Sequence, residues 1–386
     1  MLHCQQELFS LDPDVHYLNC AYKAPLLKSA EEAAKKALIR DRNPFKIQGP
    51  DFFEDAKIIR QEFAKLIQTK EENIAIIPST SYGLASVFKN LKCGPGKHAY
   101  CIENDFPSDY LTIKKWCSTQ NAELRTLSFP KGIEGDLRES SQIIIDSLNS
   151  DTSVLLMSAI HWMTGENYDL KAIGNKCEEL GIYFVVDGTQ FVGAMPINVE
   201  ENKIDALICA AYKWLMGPYS TGLAYFHPKL HNGEPIEESW INRKGSENFA
   251  NLTDYNLEYA EGAGRFNMGQ YSNFILLPML KSGLLQINSW QPKNIQDYCF
   301  ELGKPLFKCL EKLGIQFESE AKRAHHLFGI PLDESINLDI LKNKMAEERL
   351  ILSFRGNNLR VALHLFNNKE DINALIRVLE ASKILD

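Results

Sequence analysis

Several places in this chain put a chemically able side chain directly after an apolar run. The run Ala206–Ala210 leads into Tyr212-Lys213-Trp214 and then Gly217-Pro218. A lysine held at the end of such a run loses water, so its pKa falls and its amine becomes nucleophilic. The bland alternative is a lysine that snorkels outward. The run 183–186 closes on Asp187-Gly188-Thr189-Gln190. A carboxylate there is costly to bury unless it meets a cation, although an Asp can also cap a helix.

Three further runs end on polar or aromatic residues. After 74–78 come Ser79-Thr80-Ser81-Tyr82-Gly83, which open a helical pattern. Hydroxyls and free amides at a helix start can take an anion, and Ser or Thr there is also an ordinary cap. After 98–103 come Asn104-Asp105-Phe106-Pro107-Ser108-Asp109, where Phe106 either stacks on a flat cofactor or fills the core beside a Pro at the first helical position. After 154–159 comes His161, whose weight rests only on its place at a strand end. Each signal alone is modest. Together they supply an anion cup, a stacking ring, a buried carboxylate and an amine, the parts a pyridoxal phosphate site asks for: donors for the phosphate, a carboxylate for the ring nitrogen and a lysine for the aldehyde.

Other motifs fail on inspection. Gly94-Pro95-Gly96-Lys97-His98 has Leu91 where a P-loop needs its first Gly and His98 where it needs Ser or Thr. Gly262-Ala263-Gly264 lacks the third Gly of a dinucleotide turn. His227 and His231 stand four apart, but Pro228 spoils the helix, and no zinc pattern is present, so no metal is expected. The nine cysteines contain no C-x-x-C pair and are too sparse for a disulfide scaffold.

The elements that must position these residues alternate. Strand patterns at 74–78, 98–103, 123–128, 154–159, 183–187, 206–210 and 223–226 are interleaved with helical patterns at 82–89, 108–118, 137–148 and 170–180. That alternation predicts a mostly parallel sheet wrapped by helices, with ligands at the carboxyl ends of its strands. The last third changes character: helix over 293–313, strand over 326–331, helix over 336–347, strands over 350–353 and 359–364, and a final helix over 369–383. We therefore expect an α/β protein with a large mostly parallel α/β/α sheet domain over 21–270 and a smaller α+β C-terminal domain over 271–386.

A length of 386 residues fits that two-part plan. With 42 Lys+Arg against 50 Asp+Glu, the net charge is −8, a poor match for nucleic acid or an anionic membrane. The N-terminus has neither the basic cap nor the apolar run of a signal peptide, and no stretch reaches the roughly 20 apolar residues a membrane helix needs. The expectation is a cytoplasmic protein.

Val186-Asp187-Gly188-Thr189-Gln190, followed by Tyr212-Lys213-Trp214-Leu215-Met216-Gly217-Pro218 with the lysine twenty-six residues beyond the aspartate, resembles the class V aminotransferase family. The resemblance runs from Tyr17-Leu18-Asn19-Cys20-Ala21 to Leu359-Arg360-Val361-Ala362-Leu363-His364-Leu365-Phe366-Asn367. It implies a fold-type I enzyme dependent on pyridoxal 5'-phosphate, with residues 1–20 packed on the small domain. It further implies that Lys213 is the Schiff-base lysine and Asp187 the partner of the pyridinium nitrogen. Gln190 would touch the phenolic oxygen, with His161 beside it. Thr80 and Ser81 would form the phosphate cup, and Tyr212 would reach the phosphate. Phe106 would lie over the ring, since Phe106-Pro107-Ser108-Asp109 looks like a kynureninase segment. Arg360 would fork onto the substrate carboxylate, and Asn19 would line the substrate pocket.

There are departures. Ala210 stands where many members have a phosphate-binding Ser, and Gln270 where a Thr often reaches the neighbouring subunit's phosphate. The stretch before Arg360, residues 347–358, has no cysteine, which disfavours sulfur transfer through a loop persulfide. The resemblance thus implies a homodimer acting on a small amino acid, foremost as an aminotransferase. A lyase or hydrolase of the selenocysteine-lyase or kynureninase type is the alternative, and a non-catalytic protein of the same fold the alternative from another class.

Overall fold

A computed structural model describes residues 2–129 and 138–384. The chain enters through β1 (His16–Tyr17), α1 (Lys28–Asp41) and α2 (Glu54–Ile67). The alternating region follows as β2 (Ile74–Ile77), α3 (Thr80–Asn90), β3 (His98–Ile102), α4 (Pro107–Gln120), β4 (Glu123–Leu127), α5 (Arg138–Ser147), β5 (Thr152–Ser158), α6 (Leu170–Leu180), β6 (Tyr183–Asp187), β7 (Ala206–Ala210) and β8 (Gly222–Phe226). All seven predicted strands enter one sheet in the order β2-β8-β7-β6-β5-β3-β4. The pairs β4/β3, β3/β5, β5/β6 and β6/β7 are parallel, while β8 runs antiparallel between β7 and β2. The start of the predicted helix at Leu137 lies outside the described residues.

The sequence explains the layering. Every residue of β2, β3, β7 and β8 is buried, as expected of apolar strands covered on both faces. The edge strand β4 carries Glu123, Arg125 and Thr126 on a half-exposed ladder, which discourages pairing with another chain. Strands β2 to β7 all point their carboxyl ends to the same side. Chain order reverses between β3 and β5, and the crevice at such a reversal is where open α/β sheets bind ligands.

After the sheet come α7 (Leu276–Trp290), α8 (Pro292–Lys312), β9 (Leu327–Pro331), α9 (Leu338–Glu347), β10 (Leu350–Ile351), β11 (Ser353–Arg355), β12 (Asn358–Ala362) and α10 (Lys369–Ser382). Strands β11, β12 and β9 form an antiparallel sheet, and β1 pairs in parallel with β10. Phe9 packs on Phe366 and Trp290, with ring centroids 5.3 and 6.4 Å apart, so the N-terminus is tied to the C-terminal elements.

Three features differ from the sequence reading. The single strand expected over 350–353 is split into β10 and β11, which belong to different sheets. Helices α1 and α2 precede the first predicted strand. Helix α7 occupies a stretch to which the sequence pattern assigns no element: it is apolar on most sides and carries Pro278 and Gly283, which mask its period. Pro278 sits in the first turn, where a missing amide costs nothing. Gly283 lets the helix press on the segment after Lys213, since a Cβ there would lie 2.5 Å from the Leu215 carbonyl oxygen. On its other side α7 packs against α1 and α2. Among the described residues no helix is long and apolar enough to cross a membrane.

Gly193 fixes the same segment from below. Its φ is +94°, and a Cβ would lie 2.4 Å from the carbonyl oxygen of Trp214. Gly193→Ala is expected to lower stability by about 2–4 kcal/mol, from left-handed strain plus backbone displacement. Urea unfolding checks this, and an unshifted midpoint would mean that the turn relaxes freely.

Candidate active site

The carboxyl ends of β2, β3, β5, β6 and β7 surround a small, narrow pocket, with about 330 Å³ of free space when the part open to solvent is counted. It is lined by Thr80, Phe106, Ser158, Trp162, Asp187, Thr189, Gln190, Tyr212 and Lys213. Asp187 is the last residue of β6, and Lys213 follows β7, the next strand in the sheet. Both are almost fully buried, with 5% and 6% of their surfaces exposed.

Burial dominates the electrostatics. It pushes the Lys213 amine down to about 8, against the opposing pull of Asp187, while the guanidiniums of Arg360 and Arg355 push the same way as burial. The Lys213 Nζ lies 5.6 Å from the ring centroids of both Phe106 and Tyr212. Burial raises the pKa of Asp187, while hydrogen bonds from Thr189 and the charge of Lys213 draw it back. The Thr189 amide donates to Asp187 Oδ1 at 2.8 Å. Its hydroxyl accepts the Ala210 amide at 3.1 Å and sits 3.3 Å from the Thr80 hydroxyl, so one threonine ties β6, β7 and α3 together.

Helix α3 begins where the strand reading expects an anion cup. Ser79 caps it by accepting the Tyr82 amide at 3.2 Å, and the Thr80 side chain enters the pocket. Ser81 instead faces outward and donates its hydroxyl to Ser108 at 3.2 Å. Its amide still belongs to the first turn of α3, where backbone donors lack helical partners.

Phe106 caps α4, with Pro107 as the first helical residue, and meets Trp162 edge-on at 5.6 Å and 87°. Tyr212 meets Tyr219 at a 46° tilt with ring centroids 4.6 Å apart, and Tyr219 is 64% exposed. Gln190 donates to the Ala21 carbonyl at 3.1 Å and accepts the Trp214 indole N–H at 2.8 Å, while its own carbonyl meets His326 Nε2 at 2.8 Å. One amide hydrogen of Gln190 remains for the pocket.

The remaining predicted residues lie outside this lining. His161 turns away: its Nδ1 lies 3.0 Å from the Thr164 hydroxyl, and burial pushes its imidazole down to about 4, so it is neutral at pH 7. Trp162, one residue on, faces the pocket instead. Asn19 is buried behind the wall, its side-chain oxygen accepting the Ser353 hydroxyl at 2.9 Å. Gln270 is exposed, in a left-handed turn (φ 56°), and does not line the pocket. Arg360 is buried beside the lining residue Trp162, donating from Nη1 to its carbonyl at 3.2 Å, with Nε unpartnered.

Sequence reasoning assigned no role to two acids that the structure brings beneath the site. Ser158, closing β5, donates its amide (2.8 Å) and its hydroxyl to Asp105, which also accepts the Phe106 amide at 2.8 Å. Asp109, in the first turn of α4, is wholly buried; no N–H or hydroxyl donates to either of its oxygens, and its side chain meets that of Asp187, to which a protonated Asp109 can donate. Burial and the neighbouring Asp187 and Asp105 hold its pKa well above the usual carboxylate range. The available signal was an aspartate pair four residues apart at a strand end, which also reads as a plain helix start.

A mostly parallel α/β sheet presenting a buried lysine and aspartate at adjacent strand ends, beside a helix N-terminus, defines the fold-type I class of cofactor-dependent enzymes. The profile of the family described as Aminotransferase class-V matches residues 48–375, and the chain belongs to that family. It is similar to the uncharacterized aminotransferase YcbU of Bacillus subtilis (strain 168), 26% identical over 334 residues, covering 86% of this chain and 85% of that protein. It is also similar to a kynureninase of Bacillus mycoides (strain KBAB4), 23% identical over 92% of this chain and 85% of that one. Among solved structures, a C-DES mutant with glycine covalently linked to its PLP cofactor shares the fold, with a TM-score of 0.85 at 19% identity, covering 98% of this chain and 100% of that one.

The acid cluster yields a test in the cofactor-free protein. Asp109 has a raised folded-state pKa, so its effect on stability is nil below the unfolded value of 3.8 and becomes a loss as pH rises toward the folded value. Asp109→Asn, which mimics the protonated acid, should therefore be at least as stable as the parent in urea at pH 7, with the difference vanishing near pH 3. A variant less stable at pH 7 than at pH 3, relative to the parent, would show that Asp109 is ionised and paired.

Proposed function

We propose that this protein is a pyridoxal 5'-phosphate-dependent aminotransferase acting on a small amino acid. The observation that carries the reading is the buried Lys213 amine, held near pKa 8 beside Asp187 in a pocket whose lining contains no thiol. The residues fit the cofactor. The start of α3 with Thr80 suits a phosphate, Asp187 suits a ring nitrogen that carries a proton, and Phe106 suits a flat ring. The bound cofactor supplies an electron sink for the substrate's α-carbon.

The chain's own groups do the rest. An amine with a pKa near 8 can take a proton and return it close to neutral pH, which is the acid–base task of transamination. Asp187 stays ionised against a cationic ring, and Thr189 fixes its carboxylate. Arg360 orients the substrate through its α-carboxylate, and Phe106 and Trp162 keep water from the reacting carbon.

A lyase or hydrolase working from the same site is the second reading. It is favoured by the Phe106-Pro107-Ser108-Asp109 segment and by the likeness to a kynureninase over most of the chain. A keto-acid acceptor separates the two, since only an aminotransferase requires one. We further propose a cytoplasmic homodimer with a large domain over 21–270 and a small one over 271–386 joined by residues 1–20. The exposed Phe45, Tyr219, Tyr255 and Leu257 give it apolar surface for a second copy, with Tyr219 adjoining the pocket. A monomer by light scattering at micromolar concentration, with the cofactor bound, would refute the dimer.

Two measurements test the site. Borohydride reduction of the holoprotein should fix the cofactor to the peptide containing Lys213, and a label on any other lysine overturns the assignment. Asp187→Asn should slow turnover by about 100-fold or more, about 3 kcal/mol, because an amide cannot stabilise the charge on the ring nitrogen. Near-parental turnover would remove Asp187 from that role.

A further inference from the structure

Arg355 and Arg360 sit on the two strands of one hairpin. The register pairs Ser353 with Arg360 and Arg355 with Asn358, so the two arginines are diagonal neighbours on the same face of β11–β12. Both guanidiniums approach one ring: their Cζ atoms lie 5.8 Å (Arg355) and 5.9 Å (Arg360) from the centroid of Trp162, which lines the pocket.

Neither has a carboxylate partner among the described residues. Arg355 donates to the carbonyl of Phe354 at 2.7 Å and Arg360 to the carbonyl of Trp162 at 3.2 Å, and the Arg360 Nε is buried and unpartnered. Arg323 of the same lobe also lacks a carboxylate, but its guanidinium lies on the rings of Phe307 and Phe328, and two further arginines there are paired. Arg349 holds Asp12 and Asp14, and Arg377 holds Glu348 and Glu370. Two adjacent positive charges with no protein counter-ion repel each other at low dielectric, and the charge of Arg355 adds to burial in lowering the pKa of Arg360. Both charges also act on Lys213, so both are close to the reacting amine.

We infer that the site takes an amino acid bearing a second carboxylate on its side chain, with Arg360 holding the α-carboxylate, Arg355 holding the distal one and Trp162 serving as the platform between them. Planar guanidiniums suit this task because each offers a fork matched to a carboxylate. A neutral side chain leaves one arginine uncompensated, whereas a dianionic substrate neutralises both. This inference rests on the amino-acid-transforming reading above and narrows it to a substrate class.

The test uses the holoenzyme and an unreactive pair of ligands. Titration calorimetry with maleate, a dicarboxylate, and propionate, a monocarboxylate, should give tighter binding of maleate. In Arg355→Gln that preference should shrink by about tenfold to a hundredfold, as expected on loss of a charge-assisted hydrogen bond. Arg355→Lys, which keeps the charge but not the fork, should fall between. Equal affinity for both ligands in the parent overturns the inference whatever the variants do, as does an undiminished preference in a folded Arg355→Gln.

Cofactor spectra recorded with L-aspartate, L-glutamate and L-alanine separate this claim from the one beneath it. If alanine converts the cofactor as readily as the two acidic amino acids, the dicarboxylate assignment fails and the aminotransferase reading stands. If no amino acid changes the spectrum but maleate is preferred through Arg355, the aminotransferase reading fails and the paired-arginine site stands.

Discussion

Everything at this site follows from placing opposite charges where water cannot reach them. Asp187 and Lys213 are both held at the carboxyl edge of a sheet whose strands are covered on both faces. Moving either charge out of water alone would cost several kcal/mol, so each needs the other or a ligand. The surrounding architecture prevents relaxation. Thr189 anchors the carboxylate, the Trp214 indole and Gln190 side chain lock together one residue beyond the lysine, and α7 closes on the following segment through Gly283. The outcome is a lysine that stays a usable base near neutral pH.

The acids outnumber the amine. Asp105, Asp109 and Asp187 converge beneath Lys213, and Asp105 is held by the end of β5 at the point where strand order reverses. Three buried carboxylates cannot all ionise against one ammonium. Asp105, fixed by three hydrogen-bond donors, and Asp187, fixed by Thr189, are equipped to carry charge. Asp109, with no donor at all, is the one that keeps a proton. A cationic ring nitrogen entering this cluster relieves it, and this gives the cofactor assignment a physical basis independent of the lysine.

The sheet was readable in the sequence because buried strands are short, apolar and bounded by turn residues, and all seven lie where that pattern placed them. Lys213 and Asp187 were readable for the related reason that a charge closing an apolar run is costly and calls for an explanation. Helix α7 was not, because a helix buried on several sides loses the polar face that gives the 3.6-residue period its contrast, and Pro278 with Gly283 mimic a linker. At the end of β5, His161 and Trp162 are neighbours, and sequence favoured the titratable one. The backbone turns the imidazole toward Thr164 and the indole toward the pocket. Ser81 fails similarly: helix geometry sends consecutive side chains in directions about 100° apart, so only Thr80 can enter. Asp109 could not be found, because its significance depends on Asp187, seventy-eight residues away.

The site is polarised from end to end. Carboxylates gather under the sheet edge, while the β11–β12 hairpin brings two guanidiniums against Trp162 of the pocket lining, and both groups act on Lys213. A protein gains nothing for stability by separating like charges into two unpaired groups, since each group repels itself and is partly stripped of water. The arrangement complements a bound species with the reverse polarity, cationic near Asp187 and anionic near the two arginines. Asp187 would hold the cationic ring nitrogen of the cofactor, and the paired arginines would hold carboxylates of the substrate. The carboxylate group was visible in the sequence only through Asp187, and the guanidinium group only through Arg360. The pairing within each group is set by the fold: by the strand reversal that brings β3 to β5, and by the hairpin register that puts Arg355 beside Arg360. Topology thus turns two separate one-residue signals into two clusters of opposite charge around one amine, the arrangement on which the proposed substrate orientation rests.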